Sequence, residues 1–114
     1  MISHDKTTSA FDLAGFRITQ NLGIVRGIVV RSRSLFGTIG AGLQTMLGGD
    51  ITLFTNLCEK TRADAFERML AHAAELGADG VIAVRYDATE MMDGVTEVLC
   101  YGTAVRLETA STAR

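Results

Sequence analysis

Residues 50–86 read DITLFTNLCEKTRADAFERMLAHAAELGADGVIAVRY, a long amphipathic helix, a glycine stop and a buried strand. Asp50 stands where an N-cap carboxylate accepts a hydrogen bond from a first-turn N–H. Gly48 and Gly49 before it break any helix running in. At about 100° per residue, Ile51, Phe54, Cys58, Ala65, Met69, Ala73 and Leu76 share one broad face. Glu59, Lys60, Asp64, Glu67 and Arg68 fall away from its centre. Gly77 suits the left-handed position that ends a helix. The spacing predicts a helix of about 26 residues, about 39 Å long, which one layer of strands barely covers.

Downstream, residues 78–91 form a strand. Val81, Ile82, Ala83 and Val84 are apolar on both faces, so both faces are covered. Met92-Asp93-Gly94 makes the turn, and residues 95–108 form the last strand. One face of that strand carries Val95, Leu99, Tyr101, Val105 and Leu107 and needs a partner. The other carries Val98, Cys100, Gly102 and Ala104, small enough for a helix to lie close. Upstream, Ser34 caps a short helix through Leu47, with Leu35, Phe36, Ile39, Leu43 and Met46 as its buried stripe. Before it, residues 16–33 form a first long strand. Ile24, Ile28 and Val30 oppose Arg26, Arg31 and Arg33 in imperfect alternation, and Gly23 and Gly27 mark a bulge or bend. Residues 1–14 are expected to be partly ordered, 15–108 to form one α+β domain, and 109–114 to be a flexible tail. The predicted order is β-α-α-β-β, a three-stranded antiparallel sheet packed on the long helix. So few strands cannot cover the helix and also hide their outer face. Further copies of the chain are the economical remedy.

The 114 residues suffice for one domain with a small core. Eleven basic against thirteen acidic side chains leave a net charge of −2, which argues against nucleic acid and anionic membranes as partners. No run approaches the ~20 apolar residues of a membrane span, and the N-terminus lacks a charged and then apolar leader pattern. Cys58 and Cys100 fit free thiols in a reducing compartment, so the expected location is the cytoplasm.

Five residues are the candidates for a site. Arg62 interrupts the apolar helix face, either as a snorkelling or ion-paired side chain or as an anion ligand. His72 is a helix-edge histidine or a ligand, but no second histidine lies at i±4. Arg85 shares a strand face with Asp87 and is expected to pair with it or across an interface. Cys58 on the helix and Cys100 on the last strand are small buried hydrophobes or two thiolates meeting in the core to hold a soft metal. Other patterns fail their chemistry. GTIGAG (37–42) lacks the GK[ST] of a phosphate loop. Asp87, Glu90, Asp93 and Glu97 lack the spacing of a calcium loop. Arg26, Arg31 and Arg33 form a positive strip for an acidic partner, without the aromatics of a nucleic-acid surface. No Ser, His and acid set stands out for catalysis.

LGIVRGIVV, LGGD before the long helix, TRADAF, ELGADGVIAVRYD and YGTAVRLE, in this order over residues 7–108, resemble the YbjQ family. This is an uncharacterised bacterial family sometimes labelled a heavy-metal-binding domain. The resemblance implies a dodecin-like subunit that assembles into rings, commonly pentamers. Asp50 departs from the basic residue expected after the paired glycines, and a carboxylate there repels anions from the helix start. The expected function is that of a non-enzymatic homo-oligomer binding a small ligand or a transition metal at subunit interfaces. The alternative is an enzyme whose site is assembled between subunits, with Arg62 and His72 as polar members.

Overall fold

The computed structural model describes residues 2–32 and 52–110, and of residues 52–54 the backbone alone. The expected short helix over 34–47, the Gly48-Gly49 hinge, the Asp50 cap and Arg33 lie outside the described residues, as do residues 111–114. A 3-10 turn, His4–Lys6, is followed by β1 (Phe16–Ser32), α1 (Thr52–Glu75), β2 (Gly80–Met92) and β3 (Val95–Thr109). The three strands make one antiparallel sheet in the order β1-β3-β2, the α+β architecture expected. Gly77 ends α1 with φ +80 and Gly94 closes the β2–β3 turn at the same angle, conformations that cost an L side chain about 1–2 kcal/mol.

One face of the sheet lies under α1. There Val25 and Val29 of β1, Cys100 and Ala104 of β3 and Val81 of β2 meet Ala65, Met69, Leu70 and Ala73, all fully buried. Gly27 is the point of closest approach, with the α1 backbone where a side chain would stand. It is a packing position and not a bend; the bulge expected at Gly23 is there, with a register shift between Asn21 and Gly23 and φ +111, and a second shift falls between Ile18 and Gln20. Ile24, Ile28 and Val30 do share a face, but it is the one turned away from the helix, and it carries Arg26. Arg31 lies on the helix side, with Nη2 3.0 Å from Asp64. Lys60 binds the same carboxylate and, with Arg31, holds it below the ordinary range. The expected positive strip is therefore divided between two faces.

Two expected helix-face residues are corrected. Cys58 is exposed, ahead of the buried run of α1 that begins in the core at Ala65, and Leu76 is 44 % exposed because it lies beyond the last helical residue, Glu75, in the turn that ends α1. Val105, expected to await a partner, is fully buried. Residues 7–10 pair with β2 at one edge of the sheet: Thr8 N–H donates to the Val81 carbonyl and the Ala83 N–H to the Ala10 carbonyl. β1 begins at the opposite edge, so residues 11–15 cross the outer face and bring Leu13, itself buried, with them. The N-terminal segment is also tied to α1, where His4 Nε2 lies 2.7 Å from Glu67 Oε2 and its ring stands edge-on to Phe66.

Asp79 locks the helix end to β3. Its Oδ2 accepts the Leu107 N–H at 2.9 Å and the Arg106 Nε–H at 3.2 Å. The Leu107 amide first, then the Arg106 guanidinium, hold the carboxyl below its usual value. A depressed folded pKa gives stability that is present above the unfolded value, near 3.9, and is lost as pH falls through the folded one. Asp79→Asn is therefore expected to be less stable than wild type at pH 7, with the gap closing below about pH 4. Urea midpoints measured from pH 7 to pH 2 check this; a gap constant over that range would refute it.

Candidate functional site

α1 lies chiefly over β1 and β3 and barely reaches β2. The β2 side of the helix-facing surface is therefore left as an open cleft. Tyr86, opposite Cys100 in the register, stands in it. Phe66 and Arg62, one helical turn apart on α1, form its other wall. The cleft is a hollow of about 340 Å³ lined by Glu59, Arg62, Ala63, Phe66 and Tyr86. A second hollow, of about 390 Å³, shares Phe66 and Tyr86 and adds Thr7, Thr8 and Ser9 from the N-terminal segment. Towards the β2–β3 turn, a smaller hollow of about 140 Å³ lies between Cys58, Thr61, Arg62, Ala88, Thr96 and Val98.

The Arg62 guanidinium lies over the Tyr86 ring, 5.4 Å from its centroid. Among the described residues it makes no ion pair. Burial pushes the Tyr86 hydroxyl above its ordinary value, neighbouring Cys100 adds to this, and Arg62 acts in the opposite sense.

The expected site residues are distributed over the molecule. Arg62 is in the cleft. His72 is at the opposite edge, where its Nδ1 accepts the Arg26 N–H at 3.2 Å. That lone pair is spent on the backbone and is not offered to a metal. Arg68 donates to the Ile28 carbonyl at 2.6 Å beside it, so both side chains satisfy the free edge of β1. Arg85 does not pair with Asp87. Its Nη1 donates to the Ser9 carbonyl at 2.7 Å and its guanidinium lies over Phe11. Asp87 accepts from the Ala88 N–H.

The two cysteines lie at different depths. Cys100 is buried, its Sγ 3.6 Å from Met69 Sδ, and burial raises its thiol pKa. Cys58 is exposed, and about 16 Å of helical rise separates it from Met69. Among the described residues no three His, Cys, Asp or Glu side chains converge on a point where an ion could sit. The described part of one chain therefore does not fit a soft-metal site, which wants several thiolates or imidazoles around one ion.

The residues that sequence reasoning missed are Tyr86 and Phe66. Tyr86 shares strand parity with Val84 and Ala88 on the helix side, which was a usable signal. That the helix would leave β2 bare was not.

The outer face of the sheet is the other exposed feature. Ile24 is 71 %, Phe11 76 % and Tyr101 37 % exposed there, around a shallow hollow of about 270 Å³. No helix among the described residues is long and apolar enough to cross a membrane.

A protein-family model described as "Putative heavy-metal-binding" matches residues 6–108. A UPF0145 protein of Solibacter usitatus is 65 % identical over 111 residues, covering 97 % of this chain and 99 % of its own. One of Paraburkholderia phymatum is 63 % identical over 105 residues, covering 92 % and 95 %. Among solved structures, a Pediococcus pentosaceus protein of unknown function, of the DUF74 family, superposes with a TM-score of 0.57 at 19 % identity. That match covers 90 % of this chain and 96 % of the other, and at such identity it bears on the fold alone.

Proposed function

We infer that this chain, which belongs to the YbjQ family, works as a non-enzymatic, self-assembling binding protein. Its copies close on one another through the outer face of the sheet and take a small ligand where they meet. The observation that carries the reading is the uncovered patch of Ile24, Tyr101 and Phe11. Such side chains, grouped on one face of a small sheet, favour burial against another chain. The same face carries Arg26 and Arg85 beside Tyr101 and, further along, Asp87 and Glu97. Opposite charges at its two ends let the patch meet a copy of itself in complementary register. A ring of five subunits, or a multiple, is the assembly that the family resemblance implies.

A heavy metal is a weaker fit. Exposed Cys58 is the accessible thiol of the described chain, so an ion would need Cys58 from several copies.

Native mass spectrometry at micromolar concentration, on protein purified without chelator, tests both readings. A closed multimer is expected. A monomer would overturn the assembly, and multimers that carry no metal and refuse added zinc and copper would overturn the metal reading.

A further inference from the structure

We propose that the cleft between α1 and β2 is a binding site for a planar aromatic anion, a carboxylate on a fused or substituted ring. The proposal rests on the reading of the chain as a binding protein, but its site lies within one chain on the helix side of the sheet, apart from the outer face where copies are proposed to meet. The cleft is lined by two aromatic side chains, Phe66 and Tyr86, and by small Ala63 beside the charged Glu59 and Arg62 of the helix wall. A flat apolar body fits such a slot, because rings stack offset or edge-on against aromatic side chains.

The charge comes from Arg62. Its guanidinium is held over Tyr86, and among the described residues none of its five N–H donors meets a carboxylate. The charged arginines whose partners lie elsewhere are all engaged: Arg31 with Asp64, Arg106 with Asp79 and Arg17 with Glu108. Arg85 also lies over a ring, that of Phe11, but it donates to the Ser9 carbonyl; Arg62 over Tyr86 has its fork turned to no carboxylate among the described residues, a geometry suited to bidentate capture of one. A phosphate-bearing flexible chain would use the fork but leave the aromatic walls unfilled, and a cation would be repelled by Arg62. Glu59, one turn before Arg62 on the same wall, sets the affinity by repelling the same anion.

The test is calorimetric titration of the full chain with three probes of one shape: 2-naphthoate, neutral 2-naphthylmethanol and cationic 2-naphthylmethylammonium. Naphthoate is expected to bind at least tenfold more tightly than the alcohol, and the amine most weakly. Arg62→Gln should abolish the preference for naphthoate over the alcohol, whereas Glu59→Gln should tighten naphthoate severalfold. Both side chains are exposed, so an unchanged urea midpoint certifies the fold. These opposite movements are not what a merely structural role would produce. Equal affinity for the three probes, no binding of any, or a preference that survives Arg62→Gln would overturn the proposal. Native mass spectra of the same samples separate it from the assembly reading. Naphthoate bound to a monomer refutes assembly alone, and multimers that ignore naphthoate refute this site alone.

Discussion

Gly27→Val is expected to unfold the protein or to lower its stability by at least about 3 kcal/mol, beyond the usual 1–3 kcal/mol of an overpacked core. A Cβ at residue 27 would lie 2.8 Å from Arg68 Cβ and closer still to the Ala65 carbonyl oxygen and the Met69 amide nitrogen. The obstructing atoms are helix backbone, which cannot turn aside as the end of a long side chain can. α1 would have to lift off β1 at the centre of the core, where Ala65 and Met69 are fully buried. Each large apolar side chain so uncovered gives up about 1.5–3 kcal/mol, against a total of about 5–15 kcal/mol for a domain. Urea denaturation followed by circular dichroism measures it. With a slope of about 2 kcal/mol per molar, the midpoint should drop by about 1.5 M. A drop under about 0.5 M would show that the helix is not seated as closely as the structure has it.

Ile24→Asp combined with Tyr101→Asp is expected to turn the proposed assembly into monomers while leaving the subunit folded. Both side chains are on the outer face of the single chain, Ile24 71 % exposed and Tyr101, in the central strand, 37 %. Replacing Ile24 removes little that the subunit needs, and replacing Tyr101 costs it no buried core residue. In an interface each new carboxylate would be desolvated against apolar surface, at a cost of about 3 kcal/mol or about a hundredfold in affinity. Light scattering and native mass spectrometry should report the monomer mass, with a urea midpoint close to that of the wild-type subunit. Multimers that persist unchanged would place the interface elsewhere. The variant also leaves Arg62, Phe66 and Tyr86 untouched, so naphthoate binding to it asks whether the cleft is complete within one chain.

The parts of the fold legible in the residues are those governed by local periodicity. α1 was expected over about 26 residues and runs Thr52–Glu75; the two later strands and their Gly94 turn fall within two residues of expectation. The small face of β3, Val98, Cys100, Gly102 and Ala104, was assigned to the helix because small side chains let a helix approach; Cys100 and Ala104 are buried in the core under α1, whereas Gly102 is crowded by Val81, Ile82 and Val84 of β2. β1 was harder. Its apolar residues occupy both faces, so alternation could not say which faces the core. Gly27 looked like a break because a missing side chain reads the same whether the backbone bends or another backbone needs the space.

The candidate site was less legible, for a different reason. Arg62 stood out because a charge on an apolar helix face requires an explanation. Its partner Tyr86 is 24 residues further on, and nothing local joins them. His72, Arg85 and Cys100 were each unusual in sequence, yet the first guards a strand edge, the second anchors the N-terminal segment and the third fills the core.

The amino-acid sequence by itself determined the long helix, the two later strands and the small helix-side face of β3, because helix and strand periods act over a few residues. Only the tertiary structure decided that the chain passes from the β2 edge at residues 7–10 to the β1 edge at Phe16, that Val105 is buried, that α1 sits over β1 and β3, and that β2 keeps an open side. Those outcomes depend on contacts between residues far apart in the chain, whose geometry is set by close packing of the whole and leaves no trace in any short stretch.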